Sequence, residues 1–215
     1  MVKKKKLSRV STSDRVRPPT QRGRSFFKKN YALSWDYVKE TKNFIYASLG
    51  LFFLFVFAGA FLPISPEIEK ALIELINKLI LTTEGMSSSE LIAFILLNNV
   101  QSSFLGVLYG TVFGIFPVVS GIVNGYLLGF VVSKSVESEG IFILWRLFPH
   151  GIFELPALFL SLGMGLKLGS FVFQKDKLKS LKEYLINSLR VFVLVIIPLL
   201  IIAAVIEGSL ISIGS

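Results

Sequence analysis

Long apolar runs alternate with short polar stretches along this chain, and the apolar runs set the predicted elements. The first run contains no charged residue and is long enough to cross the roughly 30 Å hydrocarbon core of a bilayer as a helix. Residues 91–132 are uncharged over 42 positions, a length that requires two helices joined by a turn, which we place near 109–114. The five predicted spans cover residues 44–62, 91–108, 115–132, 147–166 and 185–206.

Two segments outside the spans have the period of an amphipathic helix. In 66–81, apolar residues recur at helical spacing opposite Glu and Lys. Ser65 stands as an N-cap and Pro66 as the first helical residue, and we expect this helix to lie on the outer surface of the membrane. In 25–43, aromatic and apolar residues recur among Lys and Asn, which predicts a helix at the cytoplasmic interface. Its apolar positions are Phe27, Tyr31, Trp35 and Val38.

These elements predict an all-α fold, a polytopic transmembrane helix bundle of residues 44–210 with amphipathic interfacial helices. Composition agrees, because 53% of the residues are hydrophobic and only 17% are charged, against about 25% charged in a soluble domain. The chain has no cysteine, which excludes disulfides, thiolate zinc sites, iron–sulfur clusters and cysteine nucleophiles.

Positive charge is concentrated at the N-terminus. The net charge is +9, and 13 of the 23 Lys and Arg residues precede Phe44. Residues 1–24 contain few large apolar side chains, so they cannot offset the entropy of ordering and are predicted to be a disordered tail. A basic arm is typical of nucleic-acid binding or of a cytoplasmic tail that faces anionic lipid. In a membrane protein the second is favoured, so we expect the bilayer and its anionic lipid as partners, and no nucleic acid.

The distribution of Lys and Arg between the spans predicts the orientation. Thirteen precede the first span, two lie in 63–90, none lies in the uncharged turn between the second and third spans, two lie in 133–146 and five in 167–184. The uncharged turn is not informative about orientation. Rich and poor segments alternate as the positive-inside rule requires for a multi-pass protein of the cytoplasmic membrane. The N-terminus is therefore expected in the cytoplasm and the C-terminus outside.

Polar residues within the spans are the candidate functional residues, because ionisable groups in hydrocarbon are costly. His150 and Glu154 lie four residues apart on the fourth span, on one helix face. Asn98, Asn99 and Asn124 lie on the second and third spans. Counted from the outer ends, Asn98, Asn124 and Glu154 lie at similar depths, about 10–12 Å below the surface. We predict that Asn98 or Asn99, Asn124 and Glu154 meet inside the bundle, with His150 just above them.

Three interpretations of this polar cluster are open. His150 and Glu154 are candidate metal ligands, but two protein ligands are too few for a zinc site. The pair would also serve as a proton or ion relay in a transporter. The third interpretation is a hydrogen-bonded cluster that holds the second, third and fourth spans together.

The predicted spans contain regularly spaced glycines and several prolines. Glycines repeat every four residues, a spacing that lets helix backbones approach closely within one chain or between protomers. The helix-packing candidates are Gly106, Gly110, Gly121, Gly125, Gly129 and Gly165. Pro149 and Pro156 flank the His150–Glu154 pair and predict helix kinks.

No known catalytic motif is present. The sequence has no P-loop, no Gly-rich dinucleotide fingerprint, no H-E-x-x-H and no G-x-S-x-G. We therefore predict no catalytic residue and no cofactor. Any enzymatic chemistry would have to lie within the membrane.

Three motifs resemble the stage II sporulation protein M family. They are Leu97-Asn98-Asn99 in the second span, the run Asn124 to Gly129 in the third, and the run Pro149 to Ala157 in the fourth. The resemblance covers roughly residues 44–210 and implies a multi-span membrane protein. In spore-forming bacteria the family's namesake is a membrane scaffold for partners that degrade peptidoglycan. The resemblance assigns no chemical role to the motif residues.

The function expected from the sequence is a non-catalytic scaffold or assembly component of the membrane. Other membrane or envelope proteins and further copies of this chain are the expected protein partners. The alternatives are a small proton- or ion-coupled transporter or channel that uses the polar cluster, and an intramembrane metal-dependent hydrolase.

Overall fold

The computed structural model describes the backbone of residues 19–214 and the side chains of 26–144, 151–207 and 209. Helices and no strands occupy this part of the chain, which confirms the predicted all-α fold. The helices are α1 (Pro19–Phe61), α2 (Pro66–Thr83), α3 (Ser88–Leu108), α4 (Ile115–Glu139), α5 (Leu144–Gly169), α6 (Lys177–Val191) and α7 (Ile197–Gly214). Within the described residues, five helices are long and apolar enough to cross a membrane, as the sequence predicts.

Helix α1 is one element where the sequence predicts two. The expected interfacial helix 25–43 and the first span join without a break in a helix of 43 residues, about 64 Å long. No glycine or proline lies between residues 25 and 49, so nothing in the backbone interrupts the hydrogen-bond ladder there. The boundary placed at Phe44 marks a change of polarity and not of structure. Most of the predicted disordered tail lies outside the described residues, and its last residues, 19–24, begin α1.

Helix α2 begins as predicted. The Ser65 hydroxyl accepts a hydrogen bond from the Ile68 N–H at 3.4 Å, and Pro66 is the first helical residue. Hydrogen bonds from its own backbone N–H and from the Ser65 hydroxyl lower the pKa of the Glu67 carboxyl. No side chain of α2 is fully buried. In its apolar stripe Leu72 and Ile76 are half-buried and the other side chains are exposed.

A tight turn joins α3 to α4 where the sequence places one. A 3₁₀ turn, Tyr109–Thr111, follows α3. Phe113 and Gly114 then adopt positive φ angles of 54° and 71°. Glycine accepts this conformation without the steric cost that a side chain carries, so Gly114 allows the chain to reverse and start α4 at once.

Helix α5 is the central helix of the bundle and packs against α1, α3, α4 and α7. In its most apolar stretch 56% of the residues are buried, against 17–33% for the other candidate spans, so α5 is the span most enclosed by the described bundle. The helix includes Pro149 and Pro156 without interruption and starts at Leu144, after a 3₁₀ turn, Ile141–Ile143. Helix α5 therefore extends three residues beyond each end of the predicted fourth span, 147–166.

The fifth span is the middle of a longer helical segment formed by α6, a π turn at Phe192–Ile196 and α7. Pro198 lies just after the π turn. A proline has no N–H to donate, and in an α-helix its ring clashes with the carbonyl four residues earlier, here that of Leu194. The wider π turn accommodates both the missing hydrogen bond and the ring. The predicted span 185–206 omits the first turns of α6, which lie beside the N-terminal part of α1.

Two seams of glycine hold the bundle together by direct backbone contact. In the first, α3 meets α5. A Cβ atom on Gly110 would collide with the backbone of Gly165, and one on Gly165 with the carbonyl of Gly106. Such packing gains van der Waals contact over the whole helix length.

The second seam joins α1 and α4. A Cβ atom on Gly125 would collide with the Phe52 carbonyl, and one on Gly129 with the Val56 carbonyl. Gly121 differs, because its Cβ would lie 3.5 Å from the Leu162 Cδ1 atom, an ordinary contact. Glycine is therefore sterically required at Gly125 and Gly129, whereas Gly121 has room for a methyl group.

Candidate functional site

A cavity of about 590 Å³ lies between α4 and α5, with Phe52 of α1 at its wall. Most of its lining is aliphatic, including Leu128 and Leu155, and among the described side chains the polar ones are Asn124 and Glu154. Asn124 and Ile152 are exposed, so the cavity opens to the outside of the bundle. Asn124 is the tenth residue of the 25-residue α4, so the opening lies near the middle of that candidate membrane span.

Two of the predicted cluster residues meet at this cavity. Asn124 donates from Nδ2 to the Ser120 carbonyl at 2.8 Å, and the same nitrogen lies 3.2 Å from the Ser120 hydroxyl. Glu154 is half-buried on the facing side of α5. The amide and the carboxyl thus share one largely apolar space, in which a single hydrogen bond is worth more than in water.

The other predicted residues lie elsewhere or outside the described side chains. Asn98 is exposed and Asn99 half-buried on α3, and among the described residues neither lines the cavity. Helix α3 packs on α5 and α7, whereas α4 packs on α1 and α5, so α5 separates the two Asn sites. The His150 backbone is part of α5, but its side chain lies outside the described set.

The described side chains include no group of three or more His, Asp or Glu residues close enough to hold a metal ion. The notable property of the cavity is its concave, largely apolar surface. A concave apolar surface with few polar groups is typical of a binding site, where the polar groups fix the orientation of what enters.

A second polar site lies at the end of the bundle where α1 and α6 extend beyond the spans. Lys167, in the last turn of α5, has a side chain only 5% exposed, and its Nζ lies 2.7 Å from a Glu40 carboxylate oxygen. The same nitrogen lies 4.3 Å from the centre of the Tyr37 ring and 5.2 Å from that of Tyr184. Burying an ammonium group costs free energy unless the charge is paired. The Glu40 carboxylate and the faces of the two tyrosine rings stabilise the Lys167 ammonium in this buried position.

Hydrogen bonds tie this lysine site to α6. The Tyr37 hydroxyl lies 3.3 Å from the Ser188 Oγ and donates to the Tyr184 carbonyl at 3.3 Å. The site, which we call the lysine clamp (Tyr37, Glu40, Lys167, Tyr184 and Ser188), therefore joins α1, α5 and α6.

Sequence reasoning missed the lysine clamp because Lys167 lies at the edge of a basic loop and was counted only as a charge. One signal was available. Ser34, Tyr37, Thr41 and Ser48 are all buried, and their spacing places them on one face of α1. A polar stripe at helical period within a predicted interfacial helix indicates packing against protein.

At the opposite end, Lys134 of α4 lies 2.6 Å from Glu69 of α2 and 3.4 Å from Glu137. These side chains border a second, more polar cavity of about 400 Å³. Because all three are substantially solvent-accessible, this ion pair contributes little stability, but it sets where α2 lies relative to the bundle.

Comparison with known proteins gives a family and two relatives. The family model for stage II sporulation protein M matches residues 48–210. One uncharacterized protein of Methanocaldococcus jannaschii is 33% identical over 118 residues, which are 53% of this chain and 66% of that protein. Another from the same organism is 31% identical over 119 residues, 53% of this chain and 52% of that protein. The match thus spans about two thirds of the first relative and half of the second. No solved structure matches.

Proposed function

The chain belongs to the stage II sporulation protein M family, and we propose that it is a non-catalytic scaffold of the cytoplasmic membrane that holds a membrane segment of a partner protein in the cavity between α4 and α5. The observation that carries this proposal is the cavity itself. It is concave, largely apolar and open near the middle of the candidate span α4, with Asn124 and Glu154 at its wall.

A partner helix suits such a site better than a hydrated ion. Lipid tails are as apolar as leucine, so association between membrane helices depends on close packing and on interhelical hydrogen bonds. The cavity supplies a concave surface for packing, and the Asn124 amide supplies a polar group for orientation.

The glycine seams also support a scaffold. Alternating access in a transporter requires one part of the bundle to rock against another around a fixed site. Here α1 and α4 touch through their backbones at Gly125 and Gly129, and Gly165 of α5 touches both Gly106 of α3 and Gly110 in the 3₁₀ turn that follows α3. Seams of this kind favour a rigid frame.

A transporter is the second candidate, because Asn124 and Glu154 do share one cavity. In that function Glu154, with His150 as the proposed exchange partner, would carry a proton or ion. An intramembrane metal-dependent hydrolase that uses His150 and Glu154 is the third candidate.

We further propose that the N-terminus is cytoplasmic, that the C-terminus is outside, and that the basic tail 1–24 contacts anionic lipid. The alternation of Lys and Arg between the spans supports this orientation.

Photo-crosslinking in native membranes tests the scaffold. A photoreactive amino acid at Leu128, which lines the cavity, is expected to give a discrete adduct with another protein. The matched control is Val123, on the same helix, 56% exposed and not among the described lining residues. Lipid-only adducts from both positions, or protein adducts of equal yield from both, would remove the support for the cavity as a docking site.

A flux measurement separates the scaffold from the transporter. Purified protein in liposomes is expected to conduct protons no faster than protein-free liposomes. A proton flux that disappears in Glu154→Gln, while the variant inserts and assembles normally, would replace the scaffold with the transporter.

A further inference from the structure

The N-terminal part of α1 presents an aromatic and basic face that nothing in the described bundle covers. Phe27, Tyr31 and Trp35 are 58%, 52% and 58% exposed. Lys28 and Lys42 lie on the same side of the helix as Tyr31 and Trp35 and are also exposed. We call this surface, Phe27 to Lys42, the outward face. Large exposed aromatic residues in a contiguous set mark an interaction site.

The continuity of α1 carries the outward face away from the hydrocarbon. The apolar part of the helix begins at Phe44. Trp35 precedes it by nine residues and Tyr31 by thirteen, about 13 and 20 Å along the axis. The headgroup layer is only about 5–8 Å thick on each side. On a helix that stands upright, Phe27, Tyr31 and Trp35 therefore lie in water and not in the lipid interface. Lys42, two residues before Phe44, lies at the headgroup layer.

The lysine clamp holds α1 upright. On a neighbouring side of the same stretch, roughly 100° around the helix, Ser34, Tyr37 and Thr41 are buried against the bundle. Glu40 is paired with the buried Lys167. For the segment to lie flat on the membrane, these contacts would have to break and the Lys167 ammonium would lose its carboxylate, which is costly.

Charge defines what the outward face can bind. Residues 26–43, the part of the chain before Phe44 whose side chains are described, have four Lys residues against two acidic ones. Both acidic residues are engaged within the chain, Asp36 by Lys39 at 3.7 Å and Glu40 by Lys167 at 2.7 Å. The surface is therefore basic around its aromatic side chains, and a second copy of the same face would meet it with like charge, which is unfavourable.

We propose that the outward face docks an acidic amphipathic helix of a partner protein. Tyr31 and Trp35 would supply the apolar anchors, because tyrosine and tryptophan dominate protein interface energies. Lys28 and Lys42 would pair with carboxylates that flank the partner's apolar stripe. The site goes beyond the proposed cavity function and does not depend on it, since no residue is shared.

Photo-crosslinking of the full chain in membranes of its own host tests this docking site. A photoreactive aromatic amino acid replaces Trp35, and in a matched control it replaces Tyr46. Tyr46 is 66% exposed and on the same side of α1, but it lies within the apolar run. We expect a discrete protein adduct from position 35, whose crosslinked peptide is rich in Asp and Glu, and lipid adducts from position 46.

A charge-reversal experiment tests the role of the two lysines. The double substitution Lys28→Glu and Lys42→Glu is expected to reduce the yield of the protein adduct at position 35 about tenfold, which corresponds to the loss of roughly 0.7 kcal/mol at each of two ion pairs. Lys177→Glu with Lys179→Glu makes the same change of net charge on exposed residues of α6 and is expected to leave the adduct unchanged.

Four outcomes would overturn the proposal. They are an adduct with a second copy of the chain, an adduct with lipid alone at position 35, no adduct, and an adduct that persists after reversal of Lys28 and Lys42. None of these results bears on crosslinking at Leu128, so failure of the outward face and failure of the cavity are distinguishable.

Discussion

At the scale of single residues, the side chain with the largest expected effect on stability is a charged group in a buried position. Lys167 is a cation with 5% of its side chain exposed, while its partner Glu40 is 64% exposed. The two ends of this ion pair therefore have different energetic roles. Removing the exposed carboxylate leaves a charge in the interior, whereas removing the lysine leaves a carboxylate in water.

This asymmetry predicts the order of two substitutions. Glu40→Ala is expected to lower the free energy of unfolding by about 1–3 kcal/mol, because the Lys167 ammonium stays buried without its partner. Lys167→Met is expected to cost less, since methionine keeps the contact with the Tyr37 and Tyr184 rings. Thermal or denaturant unfolding in detergent micelles measures both.

The control for this pair is Asp36→Ala. Asp36 and Lys39 form an exposed pair one turn earlier on the same helix, so its removal is expected to change stability by less than about 0.5 kcal/mol. A larger loss from Lys167→Met than from Glu40→Ala would show that the lysine clamp does not depend on neutralising a buried charge.

At the scale of helices, close backbone contact and helix continuity decide the architecture. The four-residue glycine spacing indicates packing surfaces, but not which helix each surface meets. The structure pairs α4 with α1 and α3 with α5. It also distinguishes glycines that look equivalent in sequence, since Gly121 faces side chains and Gly125 faces a backbone.

Alanine substitutions on α4 are expected to separate those two environments. Gly125→Ala is expected to destabilise the bundle by more than about 2 kcal/mol, because the new methyl group must push α1 away. Gly121→Ala is expected to be neutral or to stabilise by about 0.5–1 kcal/mol, the gain of alanine over glycine within a helix. Unfolding in micelles measures both, and equal losses at the two positions would contradict the α1–α4 seam.

The continuity of α1 has a direct spectroscopic test, made simple because the chain has no cysteine. Spin labels at Phe27→Cys and Tyr46→Cys are expected to lie about 28 Å apart along the axis in a narrow distribution, 19 residues of unbroken helix. A broad distribution, or a clearly shorter distance, would mean that the N-terminal part of α1 folds onto the membrane as a separate interfacial helix.

At the scale of the whole molecule, the two ends of the bundle differ in charge. The end that carries the N-terminal part of α1, the lysine clamp and the start of α6 is strongly basic. The other end carries α2, where the 63–90 segment has five Glu and two Lys. By the positive-inside rule we propose that the first end is cytoplasmic.

Single cysteines report that orientation. Glu74→Cys on α2 is expected to react with a membrane-impermeant maleimide in intact cells. Lys179→Cys on α6 is expected to react only after permeabilisation. Both positions are exposed, so the contrast depends on sidedness. The reverse pattern would place the N-terminus outside and move the outward face to the exterior.

The sequence by itself determined the number of spans, their approximate limits and the capped start of α2. It could do so because a spanning helix must satisfy its own backbone polar groups and be apolar for about 20 residues, and both requirements are local. Only the tertiary structure decided that α5 is central and that Lys167 is buried. It also decided that Asn124 and Glu154 line one cavity, whereas Asn98, on α3, is not among its described lining residues. A membrane helix is apolar on nearly every side, so its sequence seldom shows which face meets protein, and contacts between distant segments leave no local period to read. The same reason explains α1: its polarity changes at Phe44, but the helix continues on the N-terminal side of that residue, where the Tyr37 hydroxyl lies 3.3 Å from the Ser188 Oγ of α6.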